Sequence, residues 1–249
     1  MGPGVRGCPP GRWPADIPAS AHVFVSGLGD RIEIGGEDGH HLARVLRLRP
    51  GETVTVADGS GVWRPYQVAD VRATGVVLDA IGGLDREPAQ SPRLAVAFAL
   101  TKGDKPELVV QKLTELGVDR IVPVVAERSV SRPDAGRAAT SLERWNRIVR
   151  EAARQCRRAT LPAVEPLVPL NQLAGHPGLV VAERGGSAAG TLEVPPGGEM
   201  LVVVGPEGGL SDDEVKALAP WARLDLGAHI LRAETAAIAA AAILSARRP

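Results

Sequence analysis

The sequence predicts an α/β protein in which a small β-rich domain precedes a larger domain of alternating strands and helices. Three observations support this prediction. Short β-forming segments separated by turn residues fill 22–84. Residues 85–92 are polar, contain two prolines and are typical of a linker. After this linker, apolar strands alternate with helical patterns through 93–249. Within this second domain, two glycine-rich turns each follow a strand and precede a helix.

The N-terminal residues 1–21 contain prolines and glycines without apolar periodicity, and we expect them to be a disordered extension. They lack the apolar centre of a signal peptide. The longest apolar run, at 236–244, is too short to span a bilayer. Cys8 and Cys156 lie far apart and predict neither a disulfide framework nor a metal site. We therefore expect a cytoplasmic protein that binds no metal.

The charge balance limits how this chain could hold a nucleic acid. Lys and Arg together number 29, as do Asp and Glu. A nucleic-acid partner must therefore be held by local basic patches, since the chain as a whole has no excess positive charge. Aromatic residues make up only 3% of the chain, too few for an RNA-binding surface built mainly on base stacking.

The first domain is predicted to be a small β-barrel that carries one helix, as in a PUA domain. A hairpin turn is predicted at 58–61, between β-forming segments at 53–56 and 66–68. The helix is predicted at 40–48. Its apolar face consists of Leu42, Val45 and Leu46. Its basic face consists of His41, Arg44 and Arg47. That basic face is either ordinary solvated surface or a contact for RNA.

The second domain begins with an apolar strand at 94–100, a helix from Pro106 to Gly117 and a strand at 120–125. A Thr140 and Glu143 capping box predicts that the next helix opens at Thr140 and runs to 158. One face of this helix is predicted to be buried. The opposite face is a basic stripe of Arg144, Arg147, Arg150, Arg154 and Arg158. Such a stripe is either solvated surface or a surface that follows RNA phosphates.

The first glycine-rich turn is Gly205-Pro206-Glu207-Gly208-Gly209-Leu210, which follows a buried strand at 200–204. Ser211 and Glu214 have the spacing of a capping box, so a helix is predicted to start at Ser211. The second turn, within 224–236, repeats this order. Ligands bind beyond the carboxyl ends of strands in open α/β sheets. The turns match neither nucleotide-phosphate nor dinucleotide fingerprints.

The GPEGGLS turn followed by LG-x-x-ILR-x-ET-A resembles the knotted SPOUT methyltransferases and, among them, the RsmE family. Segments 41–47, 58–61, 102–105 and 111–118 fit the same family, so the resemblance covers most of the chain. It implies methylation of N3 of a uridine in small-subunit (16S) ribosomal RNA, with S-adenosylmethionine as cofactor. It also implies a trefoil-knot domain after the PUA-like barrel, and a homodimer with RNA crossing its interface.

The resemblance assigns three loops to the cofactor. The residues implied are Leu100, Thr101, Glu183, Gly205, Pro206, Glu207, Gly208, Gly209, Leu226, Gly227, Ile230, Leu231, Arg232, Thr235 and Ala236. It also favours RNA contact for the basic residues, namely His41, Arg44, Arg47, Arg147 and Arg154. The chain departs from the family at Ala233 and Ala236, where hydroxyl residues are common, and at Arg154, where glutamate is frequent.

Catalysis on uridine N3 requires loss of an imide proton and stabilisation of charge on O2 and O4. Arg232 and Glu234 lie in the second turn, after the end of a strand, where ligands bind in α/β sheets. Glu207 lies in the first turn. We therefore expect Arg232 to stabilise the uracil anion while Glu234 or Glu207 handles the proton. The alternative is structural: Glu234 caps its helix and Arg232 pairs with it.

Two other functions remain open from the sequence. One is a ribose 2′-O-methyltransferase of the same superfamily, although the sequence elements typical of that group are absent. The other is a non-catalytic RNA-binding or ribosome-assembly protein, which would keep basic helices but would not need the glycine turns. Binding of S-adenosylmethionine, measured by calorimetry, distinguishes the non-catalytic alternative from the two enzymes.

Overall fold

The computed structural model describes residues 12–195 and 198–248, which fall into two compact units. The N-terminal unit extends to Ala89 and also takes Ala153–Leu161. The C-terminal unit contains Gln90–Ala152 and the chain from Pro162 onward. The C-terminal unit therefore differs from the predicted domain at 93–249 over Ala153–Leu161. The physical reason is a set of contacts that no local pattern reveals, such as the hydrogen bond of 2.9 Å between Nε2 of His22 and the carbonyl oxygen of Arg158.

The N-terminal unit is built on a six-stranded sheet in the order β1-β3-β4-β5-β2, with β6 pairing β4. Its strands are β1 (Ala21–Phe24), β2 (Arg31–Ile34), β3 (Thr53–Ala57), β4 (Val62–Arg72), β5 (Gly75–Ala80) and β6 (Asp85–Arg86). All pairs are antiparallel except β1 with β3. The predicted hairpin is confirmed, since β3 and β4 pair across 58–61. Val54, Val56, Tyr66 and Leu78 are fully buried in its core.

The predicted helix of this unit is shorter and differently wound. Helix α1 (Gly36–His40) is followed by a π-helical turn at His41–Val45, closed by the Leu46 N–H donating to the His41 carbonyl at 3.0 Å. Leu42 is fully buried, but Val45 and Leu46 are 60% and 44% exposed. The three apolar side chains therefore do not form one buried face, because the wider π turn changes the angle between successive side chains.

Both ends of the predicted first domain are more ordered than expected. Pro14–Asp16 form a turn of 3₁₀ helix, and the Trp63 indole N–H donates to the Arg12 carbonyl at 2.9 Å. The prediction of disorder is thus wrong for 12–21, because these backbone carbonyls satisfy buried donors. Residues 1–11, including Cys8, lie outside the described residues. In the predicted linker 85–92, strand β6 pairs with β4.

The C-terminal unit is built on a parallel sheet in the order β10-β8-β7-β12-β11-β13, with β9 pairing β8. Its strands are β7 (Arg93–Ala99), β8 (Arg120–Val125), β9 (Ala163–Val164), β10 (Val168–Pro169), β11 (Leu179–Ala188), β12 (Glu199–Val204) and β13 (Ala222–Asp225). Leu179, Val203 and Leu224 are fully buried. Parallel strands covered on both faces need such continuous apolar sequences.

The helices of this unit are α2 (Lys105–Glu115), α3 (Ala135–Cys156), α4 (Asp212–Leu218) and α5 (Ala233–Ser245). Helix α3 begins five residues before the predicted Thr140, because Oδ1 of Asp134 accepts from the Arg137 N–H at 2.9 Å. Its predicted buried face is confirmed at Trp145, Val149 and Ala152. The Ser211 and Glu214 capping box of α4 is also confirmed.

Helix α5 packs against α2 and β7 within its own chain. Ala237, Ala240 and Ala241 are fully buried and Leu244 nearly so. Small side chains thus allow close packing of this helix on the sheet. Across 12–195 and 198–248, no helix is both long enough and apolar enough to cross a membrane.

Candidate active site

The glycine-rich turns lie at one edge of the parallel sheet, since β11, β12 and β13 are neighbours and end at the same edge. There they enclose a cavity of about 260 Å³. Ten of the predicted cofactor residues line it: Glu183, Gly205, Pro206, Glu207, Gly209, Leu226, Gly227, Ile230, Leu231 and Ala236. The structure therefore brings together, within one unit, residues that come from three separate loops.

The first turn depends on its glycines in different ways. Gly209 has a φ of +70°, in the region that side chains other than glycine rarely adopt. A Cβ on Gly205 would lie 3.1 Å from Cγ of Leu210. Gly208 does not line the cavity, and a Cβ there would meet Cδ of Arg128 at an ordinary 3.4 Å. Of the three glycines, Gly209 has the conformation that requires glycine.

The loop after β8 holds this turn in place. The Arg128 guanidinium donates to the Gly208 carbonyl at 2.9 Å. The Ser211 hydroxyl donates to Oε2 of Glu127 at 2.7 Å, and the Glu127 N–H donates to Oε1 of Glu214 at 2.7 Å. The start of α4 and the glycine turn are thus tied to the loop after β8 by three hydrogen bonds.

The second turn is organised by Asp225. Its carboxylate accepts from the Gly227 N–H at 2.8 Å and from the Gly185 N–H at 2.9 Å. These two hydrogen bonds lower the pKa of Asp225. The side chain thus joins the end of β13 to the loop within β11. Ile230, 81% exposed, lies over the cavity.

Sequence reasoning missed about half of the cavity wall. The additional lining residues are Val181, Ala182, Arg184, Val204, Leu210, Val215, Asp225, His229 and Ala233. Asp225 could have been found, because an Asp directly before a Gly-containing turn often accepts backbone N–H groups. Arg184 and His229 have no comparable local signal.

A partly buried ion pair adjoins the cavity and was not predicted. Nζ of Lys105 lies 3.2 Å from Oε1 of Glu234 and 3.9 Å from Oε1 of Glu207. The Glu234 side chain is only 11% exposed. Its second oxygen, Oε2, is buried and has no hydrogen-bond partner among the described residues. Burial raises the pKa of Glu234, but its own backbone N–H, Lys105 and Arg232 together hold it below the ordinary value.

Four of the predicted cofactor residues besides Gly208 lie outside the cavity: Leu100, Thr101, Arg232 and Thr235. Arg232 is exposed and takes the N-cap position of α5 without a side-chain cap. The ion-pair partner of Glu234 is Lys105, so the structural alternative of a Glu234–Arg232 pair is not what the structure shows. Leu100 and Thr101 line a separate cavity.

The predicted RNA residues differ in their surroundings. In the N-terminal unit, His41, Arg44 and Arg47 are exposed, and Arg47 has a φ of 54° that ends the helical turn. Arg154, by contrast, is ion-paired with Asp38 at 2.6 Å. In the C-terminal unit Arg147 is exposed. Within 12–195 and 198–248, no group of three or more His, Cys, Asp or Glu side chains is placed to hold a metal ion.

Two family models match the chain. An RNA methyltransferase domain matches residues 88–245, and an RNA methyltransferase PUA domain matches residues 34–79. These matches confirm the predicted α/β class with a PUA-like N-terminal domain. They correspond in sequence to the parallel-sheet unit and to the β-rich unit.

Curated relatives and solved structures agree with these models. The ribosomal RNA small subunit methyltransferase E of Mycobacterium bovis is 34% identical over 83% of both chains. The Bacillus subtilis protein of the same name is 32% identical over 86% of this chain and 89% of that protein. A crystal structure of the Neisseria gonorrhoeae enzyme of that name, bound to S-adenosyl methionine, aligns with a TM-score of 0.76 at 28% identity, over 92% of this chain and 98% of that one. The chain belongs to the ribosomal RNA small subunit methyltransferase E family of RNA methyltransferases, as the sequence motifs predicted.

Proposed function

We propose that this protein transfers a methyl group from S-adenosylmethionine to N3 of a uridine in small-subunit ribosomal RNA. Family membership supports the reaction class and the substrate, and the S-adenosyl methionine bound to the Neisseria gonorrhoeae relative supports the cofactor. The position N3 rests on the resemblance of the sequence motifs.

The cavity between the glycine turns fits the proposed cofactor chemically. Leu210, Val215 and Leu231 provide apolar surface for an adenine ring. Glu183, Glu207 and Asp225 provide carboxylates for ribose hydroxyls, an amino group and a cationic sulfur. When bound, S-adenosylmethionine supplies an electrophilic methyl group on that sulfur.

The observation that carries the proposal is that Oε2 of the Glu234 carboxylate has no hydrogen-bond partner among the described residues. A buried carboxylate oxygen without a hydrogen-bond partner is costly in a folded protein, and such atoms cluster at functional sites. Among the described residues, Oε2 of Glu234 is one of these atoms. Lys105, which pairs with the other carboxylate oxygen of Glu234, lies 3.9 Å from Oε1 of Glu207 in the cavity wall. Because its pKa is lowered, the carboxylate is charged at neutral pH and can accept a hydrogen bond from an N–H group.

Uridine N3 carries such an N–H group. We assign Oε2 of Glu234 as its acceptor, with Glu207 as the alternative. The N–H proton passes to the carboxylate, and from there to water, before or while the N3–carbon bond forms and the carbon–sulfur bond breaks, so that negative charge develops on the uracil oxygens. The products are an N3-methylated base, a neutral thioether and one proton, so atoms and charge balance. The role of the low pKa is to keep the acceptor deprotonated before the reaction.

Two cations are candidates for stabilising negative charge on the uracil oxygens. Arg232 was favoured from the sequence and remains a candidate, although it is exposed and lies outside the cavity. Lys105 is one-third exposed and lies within 4 Å of both candidate bases. We assign Lys105 the larger role, because a partly buried ammonium group stabilises charge more strongly than an exposed one.

We further propose that the protein acts as a homodimer on RNA of the small ribosomal subunit, in the cytoplasm, and that its C-terminal domain is knotted. The homodimer is inferred from the family resemblance and from exposed apolar side chains such as Leu108 and Ile230. Helix α5 does not support it, because its buried side chains already pack within its own chain. Light scattering at micromolar concentration tests it. A monomer would contradict the dimer without affecting the proposed reaction.

The proposed reaction is tested with purified protein, small ribosomal subunits lacking the modification, and S-adenosylmethionine. After digestion to nucleosides, mass spectrometry should show a methylated uridine whose methyl group stays with the base on fragmentation. A methyl group that stays with the sugar would instead identify a ribose 2′-O-methyltransferase. Binding of RNA without any methylation would identify a non-catalytic RNA-binding protein.

A further inference from the structure

The C-terminal unit contains a second cavity that is distinct from the one between the glycine turns. It has a volume of about 390 Å³ and lies at the end of β7, between the start of α2 and the first part of α3. Leu100, Pro106 and Trp145 give it apolar walls, while Thr101, Lys102 and Arg137 give it polar groups. None of the residues that line the cavity between the glycine turns lines this one, and neither does Glu234.

A side chain in this cavity lacks a partner. Thr101 is 6% exposed, and its hydroxyl oxygen has no hydrogen-bond partner among the described residues. Buried hydroxyl groups are normally paired, so an unpaired one in a cavity wall indicates a polar group that arrives with a ligand. The hydroxyl can both donate and accept, which suits the carbonyl and N–H groups of a nucleobase.

The charges around the cavity favour an anion. Lys102 is exposed and has no ion-pair partner in the parts of the chain that the structure describes. Arg137 is 82% exposed, and its contact with Asp134 is long, at 3.5 Å. The acidic wall residue, Glu107, is paired with Arg144 at 3.0 Å, which offsets its charge.

The other arginine of the wall, Arg132, has a structural role. The Arg132 guanidinium donates to the carbonyls of Glu127 at 2.6 Å and Ala126 at 3.1 Å. It therefore fixes the loop after β8, and the cations left for a ligand are those of Lys102 and Arg137.

The two cavities are joined by a short segment of chain. Gly103 and Pro106 line the second cavity, and Lys105 between them contacts Glu207, which lines the first. A group bound in the second cavity would therefore lie against the segment that carries the proposed catalytic ammonium group.

We propose that this second cavity binds a nucleotide of the substrate RNA, with its base against the apolar wall and Thr101, and its phosphate at Lys102 and Arg137. This assignment rests on the proposed function, since it takes RNA to be the substrate. It predicts that a single nucleotide is a ligand of the protein in the absence of any methyl donor.

The test is a calorimetric titration of the full-length protein with uridine 5′-monophosphate, uridine and inorganic phosphate. We expect the nucleotide to bind more tightly than either part. Thr101→Val, which keeps the side-chain shape, should weaken nucleotide binding about three- to tenfold, as expected for one lost hydrogen bond. Lys102→Gln should weaken it about two- to fivefold and reduce its dependence on salt.

Matched controls are Thr191→Val, at an exposed hydroxyl that donates to its own chain, and Lys216→Gln, at an exposed lysine of α4. Both should bind the nucleotide like the parent protein. The proposal would be overturned if a variant and its control lost the same nucleotide affinity, or if the parent protein did not bind the nucleotide. If inorganic phosphate bound as tightly as the nucleotide, the role of Thr101 would be overturned. Because no methyl transfer is measured, these outcomes are independent of whether the proposed reaction occurs.

Discussion

Nζ of Lys105 lies 3.2 Å from Oε1 of Glu234, so the start of helix α2 is linked to the start of helix α5. The pair leaves Oε2 of Glu234 buried and without a hydrogen-bond partner in the part of the chain that the structure describes. Lys105 also lies 3.9 Å from Glu207 in the first glycine turn. One ammonium group thus connects both carboxylates that the sequence identified as candidate bases.

Removing the proposed acceptor should slow methyl transfer. We expect Glu234→Gln to lower the single-turnover rate at neutral pH about a hundredfold, with S-adenosylmethionine affinity changed little. The rate should level off at a higher pH than in the parent enzyme, because solvent must then take the proton. Rapid quench with labelled cofactor measures the rate, and Glu193→Gln, at an exposed glutamate, is the matched control. An unchanged rate would exclude Glu234 as the acceptor.

Lys105→Met tests the partner of Glu234 through the pH profile. Lys105 helps to hold the pKa of Glu234 down, so its loss should raise that pKa. Activity requires the deprotonated carboxylate and should then begin to fall at a higher pH on the acid side. Arg232→Ala, compared in the same assay, decides which cation matters more for the rate. An acid limb that does not move in Lys105→Met would contradict the proposed coupling.

Gly209 is expected to be essential for the cofactor cavity because of its backbone conformation. Its φ of +70° costs roughly 1–2 kcal/mol for an L-residue, and more for a β-branched one. We predict that Gly209→Val abolishes S-adenosylmethionine binding in calorimetry while the protein remains folded. The control is Gly208→Ala, whose Cβ has room beside Arg128 and should leave binding within about threefold. Equal affinities for both variants would move the site elsewhere.

Local patterns in the sequence predicted the parts of the site that are local in the structure. The Ser211 and Glu214 capping box, the strand before Gly205 and the hairpin at 58–61 each depend on residues close together in sequence. Their positions followed from propensity, spacing and turn chemistry. Ten of the predicted cofactor residues, which were implied by the family resemblance, line one cavity, because parallel strands end at a common edge.

The features that were missed depend on contacts between distant parts of the chain. The Arg154–Asp38 ion pair was not predicted, and nothing near either residue in the sequence indicates it. The same holds for Lys105 with Glu234. The π-helical turn at His41–Val45 was missed because apolar spacing alone does not distinguish an α-helix from a wider turn.

The buried His22 should make the stability of the N-terminal unit depend on pH. Its Nε2–H donates to the Arg158 carbonyl at 2.9 Å, and Nδ1 lies 2.8 Å from the Thr55 hydroxyl, so the neutral ring is paired on both sides. Burial, opposed by the Arg158 hydrogen bond and aided by the charges of Arg157 and Arg154, lowers the pKa of His22 from 6.5 to about 4.

A lowered histidine pKa contributes stability above the ordinary pKa, and this contribution is lost as the pH falls. We therefore expect the unfolding free energy to decrease between pH 6.5 and about pH 4, by on the order of 3 kcal/mol from His22. Chemical denaturation followed by circular dichroism measures it. His22→Gln should be less stable at pH 7 but show a shallower pH dependence. Parallel curves for the two proteins would show that another group causes the loss.

Two arginines of the basic stripe should behave differently, because among the described residues Arg154 has an ion-pair partner and Arg147 has none. Arg147 is exposed and lies in the part of α3 that belongs to the C-terminal unit. Arg147→Ala should weaken binding of ribosomal RNA and reduce the slope of log affinity against log salt by about one, without lowering the melting temperature. Arg154→Ala removes the partner of Asp38, whose side chain is 30% exposed, and should lower the melting temperature instead. Filter binding at several salt concentrations and thermal unfolding of both variants provide the comparison. If Arg147→Ala leaves the salt slope unchanged, the stripe is ordinary solvated surface, and RNA must be held by other residues.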